Sequence, residues 1–135
     1  MLLLAAGCTA QPALDDRYPV KTIAIDATNL TVWVGDQPSS RQRGLIGLVE
    51  LPRGIDGMLF VWDSPGSRSF HMTDTLIPLD IWWFDSDGAL IGSTTMEPCR
   101  LAPCPAYLSP RDVLWALETP AGERDLAMGA ILSTG

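Results

Sequence analysis

A chain of 135 residues has room for one hydrophobic core, which buries roughly two thirds of the surface its unfolded form exposes, so no second domain is expected. Hydrophobic residues make up 47% of it, with 11 prolines and 12 glycines spread along its length, which excludes a disordered or fibrous chain and points to a turn-rich globular one. Lys and Arg number 9 against 16 Asp and Glu, a net charge of -7 without any basic cluster, so the chain repels a phosphate backbone and nucleic acid is excluded as an expected partner.

Met1 to Gly7 is apolar and ends in small residues directly before Cys8, followed by the polar Thr9-Ala10-Gln11-Pro12. This looks like the end of a bacterial lipoprotein signal, with residues 1–7 the remnant of the leader and Cys8 the lipidation site. Ala5 stands where Leu is usual, and no positive region precedes the short apolar run, so the start codon is expected upstream. Seven residues cannot span a bilayer, which needs about 20. The reading is an exported protein, periplasmic or at the cell surface, held to a bacterial membrane by lipid on Cys8. A buried apolar strand with an incidental cysteine is the alternative. Residues 8–20 are polar and proline-bearing, as a tether would be, and residues 21–135 form the single domain.

Thr22 to Asp26 and Asn29 to Val34 alternate in steps of two and are rich in β-branched residues, which predicts two strands closed by the Gly35-Asp36 turn. Ser39 followed three residues later by Gln42 fits a capping box, and Leu45, Ile46 and Leu48 supply an apolar face, so one short helix is expected near residues 40–48. After a Pro- and Gly-bearing loop at 51–56, Gly57 to Trp62 reads as a strand. Asp63-Ser64-Pro65-Gly66 reads as a turn and Arg68 to Met72 as a further strand. Leu79 to Phe84 is apolar on both faces, with Leu79, Ile81 and Trp83 on one and Asp80, Trp82 and Phe84 on the other, so it should be covered on both sides. Ser86-Asp87-Gly88 turns it back into Ala89 to Thr94. Val113 to Glu118 reads as a strand, Ala121 to Met128 as a turn or short helix, and Ala130 to Leu132 as a last strand. Seven or eight short strands predict a mainly β domain, a compact sandwich or barrel-like fold with one short helix.

Cys99 and Cys104 flank a loop stiffened by Pro98, Pro103 and Pro105, and in an oxidising compartment a disulfide is the expected product. The competing reading is a metal site built from both thiolates, His71 and a carboxylate, at the outer edge of zinc ligand spacings. No metal or other cofactor is expected.

Several segments in fixed order resemble the domain of unknown function 192 family: Arg43 to Gly47, Gly57 to Phe60, Phe70 to Ile81, Pro98-Cys99 with Cys104-Pro105 and Tyr107, and Leu117-Glu118 with Gly122. The resemblance covers about Val32 to the C-terminus. It implies a compact β-sandwich-like domain, commonly exported and sometimes lipid-anchored, without an established activity. Two positions depart from it. Phe70-His71-Met72 stands where similar proteins have Phe-Trp-Met, and Asp74-Thr75 where they have Asn-Thr, so a mechanism built on His71 is not one the resemblance supplies.

His71 is the one histidine in the chain and the first general-base candidate, with Asp74 and Asp80 as orienting or paired carboxylates and Ser69, Thr73 or Thr75 as nucleophile. Together they define a small envelope hydrolase as the alternative function. Against it, no nucleophile elbow, zinc-protease helix, phosphate loop or dinucleotide fingerprint is present, and the favoured reading of His71 is a half-buried strand position with a local hydrogen bond. Met72, Thr73, Asp74, Thr75 and Asp80, with Arg43 as ion-pair partner for either aspartate, form the candidate ligand corner. The same groups suit a self-satisfied turn. Of the tryptophans, Trp33, Trp62 or Trp82 could stack on a sugar if exposed, whereas Trp83 and Trp115 read as core. The leading reading is a non-enzymatic envelope module that binds a glycan, an envelope component or a protein partner.

Overall fold

Ile23 and Ile25, then Leu30 and Val32, point inward from the first hairpin, β1 (Val20–Ile25) against β2 (Thr28–Gly35), in a computed structural model that describes residues 17–135. Cys8, the expected lipidation site, lies outside the described residues. The next strand, β3 (Gly57–Gly66), runs parallel to β2, with Val32 beside Gly57 and Gly35 beside Phe60. Parallel neighbours require a long crossover, and residues 36–56 provide it, carrying α1 (Pro38–Arg43) across one face of the sheet.

The order continues through β4 (Ser69–Phe70), β5 (Leu79–Phe84), β6 (Leu90–Met96), β7 (Tyr107–Leu108), β8 (Val113–Pro120) and β9 (Leu132–Ser133). A seven-stranded sheet in the order β6-β5-β8-β3-β2-β1-β9 and a two-stranded β4-β7 sheet result, the larger one strongly curled into a half-barrel. The expected mainly β, barrel-like architecture is therefore the one observed. Among the described residues no helix is long and apolar enough to cross a membrane.

Each face of the large sheet has its own core. Trp33, Met58, Phe60, Ile81, Trp83 and Ala116 pack beneath Leu45, Leu48 and Met72 on the crossover side. Ile23, Leu30, Val32, Leu59, Phe84 and Leu117 pack with Leu132 on the other. Every residue of β5 is buried, as its two apolar faces predict.

The sequence reading misplaced four boundaries. The helix covers 38–43, not 40–48, and its cap is Gln37, whose N–H donates to Ser40 Oγ at 3.1 Å. Pro38 suits a first helical position, and Gly44 at φ +49 ends the helix, so Leu45 and Leu48 reach the core from turns beyond it. The Asp63–Gly66 turn is instead the distal part of β3, paired to β8 across a register shift between Val61 and Gly66 where Pro65 has no N–H to offer. The strand expected at 68–72 shortens to Ser69–Phe70, opposite Tyr107 and Leu108. Residues 17–20, read as tether, belong to the body: Tyr18 is 8% exposed and its hydroxyl donates to the Gly44 carbonyl at 2.7 Å.

Cys99 and Cys104 are joined by a disulfide with Cα atoms 5.8 Å apart. The loop it closes supports the 72–75 corner, because Cys99 N–H donates to the Met72 carbonyl at 3.3 Å and Asp74 N–H to the Cys99 carbonyl at 3.1 Å. Reduction should lower stability by about 2 kcal/mol through loop entropy, a fall in Tm of roughly 5–10 °C. Thermal melts with and without reductant check this, and a Cys99→Ser, Cys104→Ser variant should be insensitive to reductant.

Candidate functional site

Strand alternation decides which side chains meet the crossover. Phe60 and Trp62 of β3 point to the face beneath α1, and the antiparallel register sets Glu118 of β8 opposite Met58 and beside Ile81 of β5. A carboxylate is thereby projected from the middle of the sheet into an apolar layer. Glu118 is 4% exposed, and its carboxyl has no hydrogen bond or ion pair with any other described residue. Burial pushes it up to about 8, so it carries its proton at neutral pH.

Glu118 lies at the floor of an open cavity of about 280 Å³. One wall is the end of α1 and the turn after it, Arg41 to Ile46; the other is Ser69 to His71 with Thr75. The floor is aromatic. Phe70 meets Phe60 edge-on at 4.8 Å between ring centroids, Trp83 at 5.4 Å and Trp62 at 6.1 Å, while Phe60 and Trp62 stack at 6.5 Å. Such contacts hold the rings in place and leave the half-buried Trp62 as the aromatic surface at the mouth.

Cations surround this floor. The Arg68 guanidinium sits 4.6 Å from the Trp62 ring centroid and that of Arg41 5.8 Å. Arg41 also donates to the Val61 carbonyl at 2.8 Å. Arg68 is pulled below its usual range by burial and then by Arg41, and its Nε is buried without a hydrogen-bond partner among the described residues. Behind the turn, Arg17 donates to the Ile46 carbonyl at 2.8 Å. Burial raises the Tyr18 phenol there, against the opposing pull of Arg17 and Arg43.

The residues singled out from sequence divide between this cavity and elsewhere. Arg43, His71 and Thr75 meet in it. His71 is exposed rather than half-buried in a strand, and its Nδ1 accepts from Thr73 N–H at 3.3 Å. Met72 is fully buried in the core and offers no surface. Thr73 bridges to Cys99, and Asp74 is an exposed residue at φ +60 whose carbonyl accepts from Gly47 N–H at 3.0 Å. Asp80 lies on the opposite face of the sheet, accepting from Thr95 Oγ1 at 2.6 Å and Gly122 N–H at 2.9 Å. The His71, Asp74, Asp80 group therefore does not assemble. Arg43 joins neither ion pair found among the described residues, Arg111–Asp85 and Arg124–Asp56. The competing metal site does not form either, since its two sulfurs are bonded to each other. No group of three or more His, Cys, Asp or Glu side chains among the described residues could hold a metal ion.

Of the three tryptophans considered for stacking, Trp62 reaches the cavity while Trp33 and Trp82 are buried, and Glu118, Phe60, Phe70 and Arg41 were missed as site residues. The one available signal was Glu118 itself, the single charged residue of the largely apolar β8.

A family model described as an uncharacterised ACR, domain of unknown function 192, matches residues 21–130. The chain belongs to the domain of unknown function 192 family. No curated protein matches it. A crystal structure of a Novosphingobium aromaticivorans protein of unknown function superposes with a TM-score of 0.77 at 19% identity, covering 94% of this chain and 92% of that one. A Sinorhizobium meliloti protein provisionally described as a transcription regulator superposes at 0.73 with 25% identity, covering 85% and 93%. Within this family member, the segments that carry the sequence resemblance converge: Arg43 to Ile46, Phe60, Phe70, His71, Thr75 and Glu118 all line the one cavity.

Proposed function

We propose that the protein is a non-enzymatic binding module of the cell envelope that holds one ring of a glycan in the cavity above Glu118. The observation that carries this is the pairing of a half-buried Trp62, whose ring a sugar would share with or take over from the Arg68 guanidinium, with a buried carboxyl that has no partner among the described residues, across a space of about 280 Å³. A sugar ring presents a C–H face that packs on an aromatic ring and an edge of hydroxyls that satisfies polar groups. Glu118 and Thr75 supply such groups on the inside and Arg43 on the outside.

The leader-like residues before Cys8 and the Cys99–Cys104 disulfide support an exported, lipid-anchored location. A hydrolase finds no support, because hydrolysis needs a base aligned with its orienting carboxylate and Asp80 faces away. The transcription-regulator description of one neighbour is not carried over, since any role that needs direct contact with nucleic acid is opposed by the charge of -7.

The test is a thermal-melt screen with neutral and acidic sugars and peptidoglycan fragments. A true ligand at about 100 times its Kd raises stability by roughly 2.7 kcal/mol. Trp62→Ala should weaken binding of any hit at least tenfold while Trp62→Phe keeps most of it. Unchanged affinity in Trp62→Ala would remove the cavity from consideration.

A further inference from the structure

The glycan reading leaves open which sugars fit, and the charges around the cavity answer that. In a chain where acids outnumber bases, Arg17, Arg41, Arg43 and Arg68 gather around the crossover wall and the Trp62 ring, and none of them joins an ion pair among the described residues. Arg41 spends a donor on the Val61 carbonyl and Arg17 one on Ile46, whereas the exposed Arg43 faces the cavity mouth. Glu118, the carboxyl that lines the same cavity, does not neutralise them, because it is buried in the apolar layer, and Asp112 acts on Arg68 from outside the cavity lining.

We infer that the cavity selects a sugar acid, a pyranose bearing a carboxylate, with its ring on Trp62, its carboxylate at Arg43 and its hydroxyls reaching Glu118. This rests on the glycan reading above and adds the charge to it. Electrostatics favour the arrangement twice. A guanidinium fork matches a carboxylate's two oxygens. A protonated Glu118 offers an O–H donor and no repelling charge, which burial provides for at neutral pH.

A pH dependence follows. The groups facing Glu118 are the Tyr18 phenol behind the turn, Arg41 and Arg43 on the wall, and His71 across the cavity. A bound anion makes ionisation of Glu118 harder still, so binding favours the protonated form. Affinity is greatest below the carboxyl's value of about 8 and falls above it, by up to about tenfold per pH unit.

The experiment is a chemical-shift titration of the protein, followed at the Trp62 indole, with D-glucuronate, D-glucose and acetate at pH 6 and pH 9.5. D-glucuronate should bind at least ten times more tightly than D-glucose at pH 6, lose affinity at pH 9.5, and lose its advantage in Arg43→Gln. Glu118→Gln should keep the preference and flatten the pH profile, and His71→Gln should leave that profile in place. Equal binding of D-glucuronate and D-glucose overturns the sugar-acid inference while the glycan reading stands. Equal binding of D-glucuronate and acetate, indifferent to Trp62→Ala, overturns the glycan reading and the inference with it. No binding by any of the three overturns both for monosaccharide rings.

Discussion

Glu118→Gln should make the protein more stable, by on the order of 3 kcal/mol at pH 7 and about 4 kcal/mol at pH 8, with almost no difference below pH 4.5. Proton linkage sets the sign. An unfolded glutamic acid releases its proton near 4.5, whereas the buried carboxyl holds it up to about 8. Below 4.5 both states are protonated and burial carries no ionisation cost. Between the two values the unfolded state ionises and the folded state does not, so stability declines by up to about 1.4 kcal/mol per pH unit. Above about 8 both are ionised and the decline levels off. Glutamine does not titrate and has nearly the same shape, so the variant keeps the low-pH stability throughout. Other groups titrate in this window, and the informative quantity is the difference between urea denaturation curves of the two proteins from pH 4.5 to 9. Parallel curves would mean that Glu118 is ionised and solvated in the folded protein, and the protonated donor assigned to the cavity would go with it. A stabilising substitution at a buried acid also marks a residue kept for something other than stability.

The strands were legible because a period of two needs only local sequence. Ile23 with Ile25, and Leu79 with Ile81 and Trp83, fall on their faces without knowledge of any partner strand. The helix was misread for a reason of the same kind. Leu45, Ile46 and Leu48 have helical spacing, but they are apolar because the crossover roofs a core, and Gly44 at φ +49 breaks the helix before them. The cavity was only half legible. Arg43, His71 and Thr75 lie in segments singled out in advance, yet what makes them a site is the pairing of β3 with β8, which sets Glu118 beside Met58 from sixty positions away in sequence. Single-sequence periodicity carries no information on that register. Asp80 was a different case. Leu79, Ile81 and Trp83 were already assigned to one face, and a period of two then sends Asp80 to the other, away from His71.

The second large effect is expected at Gly57, which opens β3 between the parallel β2 and the antiparallel β8. A Cβ there would stand 2.2 Å from the Glu118 carbonyl oxygen and 3.1 Å from Thr119 Cγ2. A crowded side chain can rotate away, and overpacking of that sort costs about 1–3 kcal/mol. A carbonyl in a sheet ladder cannot rotate without giving up its hydrogen bond, so Gly57→Ala must push β3 and β8 apart, and a loss of at least about 3 kcal/mol is expected. Gly54 is the control. It has φ +87, and nothing lies within 4 Å of the place a methyl group would take, so Gly54→Ala should lose only the roughly 1–2 kcal/mol of left-handed backbone strain. Thermal melts of the two variants should thus separate by several degrees. The glycine that begins the Gly57-Met58-Leu59-Phe60 segment then has a physical role: it lets β8 approach closely enough for Glu118 to sit beside Met58 under the crossover. Equal melting of Gly57→Ala and the parent protein would show that β3 and β8 can separate without cost, and the position of Glu118 over the aromatic floor would lose its structural cause.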